Sequence, residues 1–176
     1  MATTTADPIA PDRGITIDSL KERSLDELEM LYRELTPATG VQGLDGKPKG
    51  EVLAVTGLDW KPVSNAIRLF GDSPVFPWLG KGFSSLSNEQ GEGNNRLNFL
   101  GYKPEWFDFE TRIEASEVDG RDAVILDYDL ESNPLPIRHI RDELREAAPG
   151  IWFGPAMARI GDNHNTVLWF AVDFNQ

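Results

Sequence analysis

The chain has 176 residues, 17 Lys and Arg against 29 Asp and Glu, and a formal net charge of −12, a length that fits one domain able to bury most of its apolar surface. The absence of cysteine excludes disulfides, zinc–thiolate sites and a cysteine nucleophile, and is in keeping with a cytoplasmic protein. The acidic balance argues against nucleic acid, whose phosphates need a basic face, and against anionic membranes, and no apolar run is long enough to span a bilayer.

The opening Met1-Ala2-Thr3-Thr4-Thr5-Ala6-Asp7-Pro8 has neither the basic nor the apolar part of a signal peptide. Residues 1–14 are expected as a flexible tail and 15–176 as a single domain. Ser24-Leu25-Asp26-Glu27 reads as a capping box. Leu25, Leu28, Leu31, Tyr32 and Leu35 then recur at helical spacing until Thr36-Pro37 ends the run. This predicts one amphipathic helix on the outside of a sheet or across its mouth. Glycines and prolines from Pro37 to Pro48 predict a loop.

Gly50 to Thr56 reads as a strand, and Pro62 as the first turn of a short helix through Ile67, Leu69 and Phe70, closed by Gly71. Phe76-Pro77-Trp78-Leu79-Gly80-Lys81-Gly82-Phe83 leads into another strand. Further strands are expected over Arg96 to Leu100, Phe107 to Glu117 and Arg121 to Leu130, with Asp119-Gly120 as a hairpin turn between the last two. Gly150 to Arg159 and Thr166 to Phe174 form a final pair around the polar turn Gly161-Asp162-Asn163-His164-Asn165. The piece from Arg138 to Glu146 fits helix or strand. Short, regularly spaced strands with one clear helix predict a mainly β fold, a single antiparallel lipocalin-like barrel with an N-terminal helix and one or two short helices.

The order of these segments resembles the GXWXG-type lipocalin-like proteins, calycin-like β-barrels of unknown function. The resemblance rests on Gly50 to Gly57, Pro77-Trp78-Leu79-Gly80-Lys81-Gly82-Phe83, Tyr128-Asp129, Pro136-Ile137 and Glu143-Leu144-Arg145. It continues through Gly150-Ile151-Trp152-Phe153-Gly154 and Val167-Leu168-Trp169-Phe170. The Gly-x-Trp-x-Gly signature is not intact, because Gly50-Glu51-Val52-Leu53 carries no tryptophan. The resemblance implies a small barrel with a central cavity and no particular activity.

The densest chemistry lies between Asp127 and Glu146, where Arg138, Arg141, Arg145 and His139 stand among six carboxylates. Asp127 and Asp129 project to one face of a strand. Facing inward, either would be a general acid or base, with Arg138 and Arg141 stabilising negative charge. Facing outward, they would pair with Arg138, Arg141 or Arg145 and hold the strand to the following segment. Trp78, Lys81 and Phe83 are candidates for a barrel mouth, Lys81 to meet a ligand carboxylate or enolate, unless Trp78 plugs the barrel and Lys81 snorkels to water. Arg96, Tyr128, His139, Trp152 and Trp169 complete the ligand-binding candidates. Two histidines, His139 and His164, supply no all-histidine metal site, though either could be an axial haem ligand.

No nucleophile elbow, P-loop or dinucleotide fingerprint is present. The sequence thus predicts a barrel enclosing a small, largely apolar or aromatic ligand without a cofactor. Its alternatives are a cofactor-independent isomerase, cyclase or lyase using interior carboxylates, and a haem-binding barrel. A partner-binding role, with the N-terminal helix as the contact surface, and a homodimer are further alternatives.

Overall fold

A computed structural model describes residues 14–57 and 78–176. The tail up to residue 13, the short helix expected after Pro62 and the Phe76-Pro77 entry lie outside the described residues. Eight antiparallel strands close into an up-and-down barrel in sequence order. They are β1 Lys49–Val55, β2 Trp78–Ser85, β3 Gln90–Leu97, β4 Glu105–Ala115, β5 Asp122–Asp127, β6 Ile140–Ala148, β7 Ile151–Ile160 and β8 Asn163–Asp173. Closure pairs β1 with both β2 and β8, so no strand is left as an edge. Among the described residues no helix is long and apolar enough to cross a membrane.

The seam between β1 and β2 is the thinnest in the barrel, with Lys49 opposite Gly80. Gly80 has φ +127°, and a Cβ there would lie 2.3 Å from the Pro48 carbonyl oxygen, so only glycine lets the two backbones come this close. Arg96 reinforces the seam from β3 by donating to the carbonyls of Pro48, Leu79 and Lys81.

Two apolar cores result from strand alternation. Inside the barrel lie Phe83, Phe109, Val124, Leu126, Leu144, Trp152, Phe170 and Val172. The loop after the second helix caps one end: Ala38, Val41 and Leu44 enter this core, Leu44 from a 3-10 turn at Gln42–Leu44. The second core lies outside, between the barrel wall and two helices, α1 (Ile17–Lys21) and α2 (Leu25–Glu34). Ser24 and Glu27 form the expected capping box. A second box, Thr16 with Ser19, starts the short α1, which the sequence reading left unassigned. Leu28, Leu31 and Tyr32 turn inward onto Phe153, Trp169 and Ala171. The apolar face of α2 is therefore covered by its own barrel.

Two segments differ from expectation. Pro134 to His139 contains a four-residue helix, α3 (Leu135–Arg138), and the chain becomes strand β6 immediately afterwards. The ambiguous stretch is thus both, in succession. Strand β3 runs from Gln90 to Leu97, so it starts well before the Arg96 expected and takes in Gly91 and Gly93. Low strand propensity there is overridden by packing, because a Cβ on Gly93 would sit 2.5 Å from the Phe109 ring.

Candidate functional site

The register of β6 decides the site. Ile140, Asp142 and Leu144 share the inward face, while Arg141, Glu143 and Arg145 face out. Asp142 therefore stands inside the barrel, where it meets Lys81 from β2, Asn95 from β3 and Tyr128 just beyond β5. Lys81 is 3 % exposed and its Nζ donates to Asp142 Oδ2 at 2.9 Å, Asn95 Oδ1 at 3.1 Å and the Tyr128 hydroxyl at 2.5 Å. Tyr128 donates in turn to Asp142 Oδ2 at 3.1 Å. Asn95 accepts from Trp78 Nε1 at 3.2 Å and donates to Tyr128 and to the Phe107 carbonyl.

Around the ammonium stand the rings of Trp78, Phe109, Tyr128 and Phe170, with centroids 5.0–5.6 Å from Nζ. Burial pulls the Lys81 pKa down, against the opposing pull of Asp142. Burial, reinforced by Asp142, pushes Tyr128 well above the usual phenol range, so it stays a neutral donor. The ring box and the carboxylate favour a charged lysine where solvent is excluded.

A cavity of about 70 Å³ opens beside this cluster. Its walls are Val52, Trp78, Phe107, Ile137, Ile140, Ala156, Val167, Leu168 and Phe170, and its polar groups come from Lys81, Asn95, Tyr128 and Asp142. Phe107 reaches it from a bulge in β4, where its φ of +58° is one of two left-handed non-glycine conformations among the described residues. Such a conformation in an aromatic residue costs about 1–3 kcal/mol and is held by its surroundings. Of five buried side-chain atoms without a partner among the described residues, Asp142 Oδ1 is the one whose residue lines this cavity.

Of the predicted site residues, the structure brings Trp78, Lys81 and Tyr128 together here. Lys81 is turned into the cluster, so its ammonium is committed to protein acceptors and does not await a ligand carboxylate. Phe83 and Trp152 are interior but off the cavity lining, Phe83 against Phe109 and Trp152 beneath Gly43. Arg96 is occupied with backbone carbonyls at the seam. Trp169 lies outside the barrel under α2, edge-on to Tyr32, because Phe170 takes the inward position on β8.

Asp127, Asp129, Arg138, Arg141 and His139 gather elsewhere, on the outer wall with Arg112, Arg159 and His164 around a hollow of about 170 Å³. Tyr128 turns inward, so its neighbours Asp127 and Asp129 turn outward. Asp127 pairs with Arg112 at 2.9 Å and Asp129 with Arg138 at 2.8 Å. Arg141 reaches Glu114 at 3.2 Å. Burial raises the Asp127 pKa, but the Asp129 N–H and Arg112 outweigh it and leave the carboxyl below its usual range. Both aspartates thus face outward and are paired, Asp129 with one of the arginines expected and Asp127 with Arg112 instead. His164 belongs to β8 and faces Glu117 at 3.2 Å. Neither histidine lines the cavity, and both border the outer hollow. Among the described residues no group of three or more His, Asp or Glu is arranged to hold a metal ion.

Sequence reading passed over Asp142 as a site residue, and it favoured a turn-shaping role for Asn95 over a hydrogen bond to a bound polar group. Asp142 was legible only through strand parity with Ile140 and Leu144, and Asn95 through parity with Leu97.

No family model matches the chain, and no curated protein matches it in sequence. Among solved structures, a protein from Thermomonospora curvata is similar, with a TM-score of 0.54 and 18 % identity over 89 % of this chain and 91 % of that one. The likeness extends across both chains and concerns the fold alone.

Proposed function

We propose that the protein binds a small molecule inside the barrel, apolar over most of its surface and seated with one polar group against the Lys81–Asp142–Tyr128 cluster. The observation that carries this reading is the Asp142 Oδ1 atom, buried, without a partner among the described residues, on the lining of a mostly apolar cavity. A buried acceptor left unmade costs on the order of 1–3 kcal/mol, a cost that a bound group can remove. Apolar walls with a few convergent polar groups are the usual make-up of a ligand pocket.

The test is thermal denaturation against rings of increasing size: pyrrole, benzene, indole and naphthalene. A ligand that binds only the folded state raises the midpoint with its concentration. Ala156→Leu, which fills the cavity, is expected to abolish that rise. If none of the rings stabilises the wild-type protein, or Ala156→Leu responds as strongly, the reading fails.

The same oxygen supports a second reading, a cofactor-independent isomerase, cyclase or lyase. Asp142 would be its general base, in place of Asp127 and Asp129, which face away from the cavity. Proton exchange into a bound carbon acid that survives Asp127→Ala and Asp129→Ala but not Asp142→Asn is the expected pattern. Exchange that Asp142→Asn leaves intact would remove this reading.

A further inference from the structure

We propose that the ligand of this cavity is uncharged and presents a hydrogen-bond donor, an N–H or O–H group, to Asp142 Oδ1. The inference rests on the binding reading above and follows from counting what the cluster has left to offer. Lys81 has three donors and uses all three. Tyr128 gives its one proton to Asp142 and accepts from both Lys81 and Asn95. The Asn95 amide is engaged at both ends, and Trp78 Nε1 is spent on Asn95. Asp142 Oδ2 receives two bonds and Oδ1 none. Among the described lining residues the cluster has an acceptor to spare and no side-chain donor.

Charge narrows the class further. The buried pair Lys81 and Asp142 sums to zero, so an anionic or cationic ligand would bring an uncompensated charge against a buried ion pair and apolar walls. An anion would face an unpaired carboxylate oxygen. A cation would find the aromatic faces of Trp78 and Phe170 already turned to the Lys81 ammonium. A neutral donor with few acceptors of its own, as in a pyrrole, an indole or a phenol, fits what remains.

The experiment uses rings of closely similar size that differ in the hydrogen-bonding group they present. These are pyrrole, furan and cyclopentene, with their benzo-fused counterparts indole, benzofuran and indene. Affinities would be read by NMR titration of the wild-type protein. The donor members are expected to bind about ten-fold or more tightly than the others, the effect of one hydrogen bond to a charged acceptor. In Asp142→Asn, Lys81 holds the amide oxygen and the NH₂ turns to the cavity. The preference should then invert, towards furan and benzofuran.

Equal affinities across a wild-type triplet would overturn the donor requirement and leave cavity binding standing. Absence of binding by all six would overturn both. If Asp142→Asn does not fold, the wild-type triplets decide alone. If it folds and still prefers pyrrole and indole, the assignment to Oδ1 is wrong.

Discussion

Strand β6 carries two buried charge clusters on its opposite faces, and they differ in completeness. Inside, Lys81, Asp142, Tyr128 and Asn95 satisfy one another except at Asp142 Oδ1. Outside, roofed by α2, Arg145 is 0 % exposed and makes five hydrogen bonds, two to Asp119 and one each to the carbonyls of Tyr32, Arg121 and Asp122. That uses every donor a guanidinium has. Its neighbour Glu143 accepts from the Glu117 N–H at 2.8 Å, from the Tyr32 hydroxyl at 3.2 Å and from Ser116 Oγ. Among the described residues the outer cluster lines none of the cavities above, and its charged groups are all partnered. It joins helix, hairpin and barrel wall, and reads as structural. The inner one lacks one partner and opens on a void, which is how a site differs from a brace.

The sharpest way to break this comparison is to delete each cation. Arg145→Met should cost about 3–5 kcal/mol, because Asp119 and three carbonyls lose a buried partner together. Lys81→Met strands Asp142 and should cost a similar amount. Compensating pairs should then separate the two clusters. Lys81→Met with Asp142→Leu should recover most of the loss, since a buried ion pair is about neutral against apolar residues of similar size. Arg145→Met with Asp119→Leu should recover little, because the carbonyls stay unpaired. Urea denaturation of the four variants checks this. Equal recovery in both pairs would erase the distinction.

Acid should act on the outer cluster. Burial alone would raise the Asp119 pKa, but bonds from Arg145 and Arg121 overcome that and hold it far below the ordinary carboxylate range. A depressed folded-state pKa contributes stability that is present above the unfolded value, about 3.9, and lost as pH falls through the folded one. The wild-type urea midpoint should therefore fall below about pH 4. Asp119→Asn should start less stable and lose less over the same range. The smallest effect is at the roof: Ser24→Ala removes the α2 cap and should cost about 1 kcal/mol, leaving ring binding in the cavity unchanged.

Much of the barrel was legible because its signals are local. The Ser24–Glu27 box, the Asp119-Gly120 turn and the alternation through Phe109 and Val124 each predict an element that is found. The site was less legible because parity is set by register, and register is non-local. Tyr128 and Asp129, or Trp169 and Phe170, are equally plausible inward residues until neighbouring strands fix which one turns in. Asp142 was hidden twice over. Spaced as on a helix it falls among the arginines, and only after α3 ends at Arg138 does it become an inward strand residue. Asn95 was hidden by the glycines before it, whose value as a strand lies in what they allow Phe109 to fill.

The most direct test uses the two tryptophans that report on the two regions, Trp78 at the cavity and Trp169 beneath α2. In a ¹⁵N-labelled protein titrated with unlabelled pyrrole or indole, the Trp78 Nε1–H resonance should move with saturation while that of Trp169 stays still. Movement of Trp169 with Trp78 unchanged, or no saturable movement of either, would contradict the assignment of the inner cluster as the site.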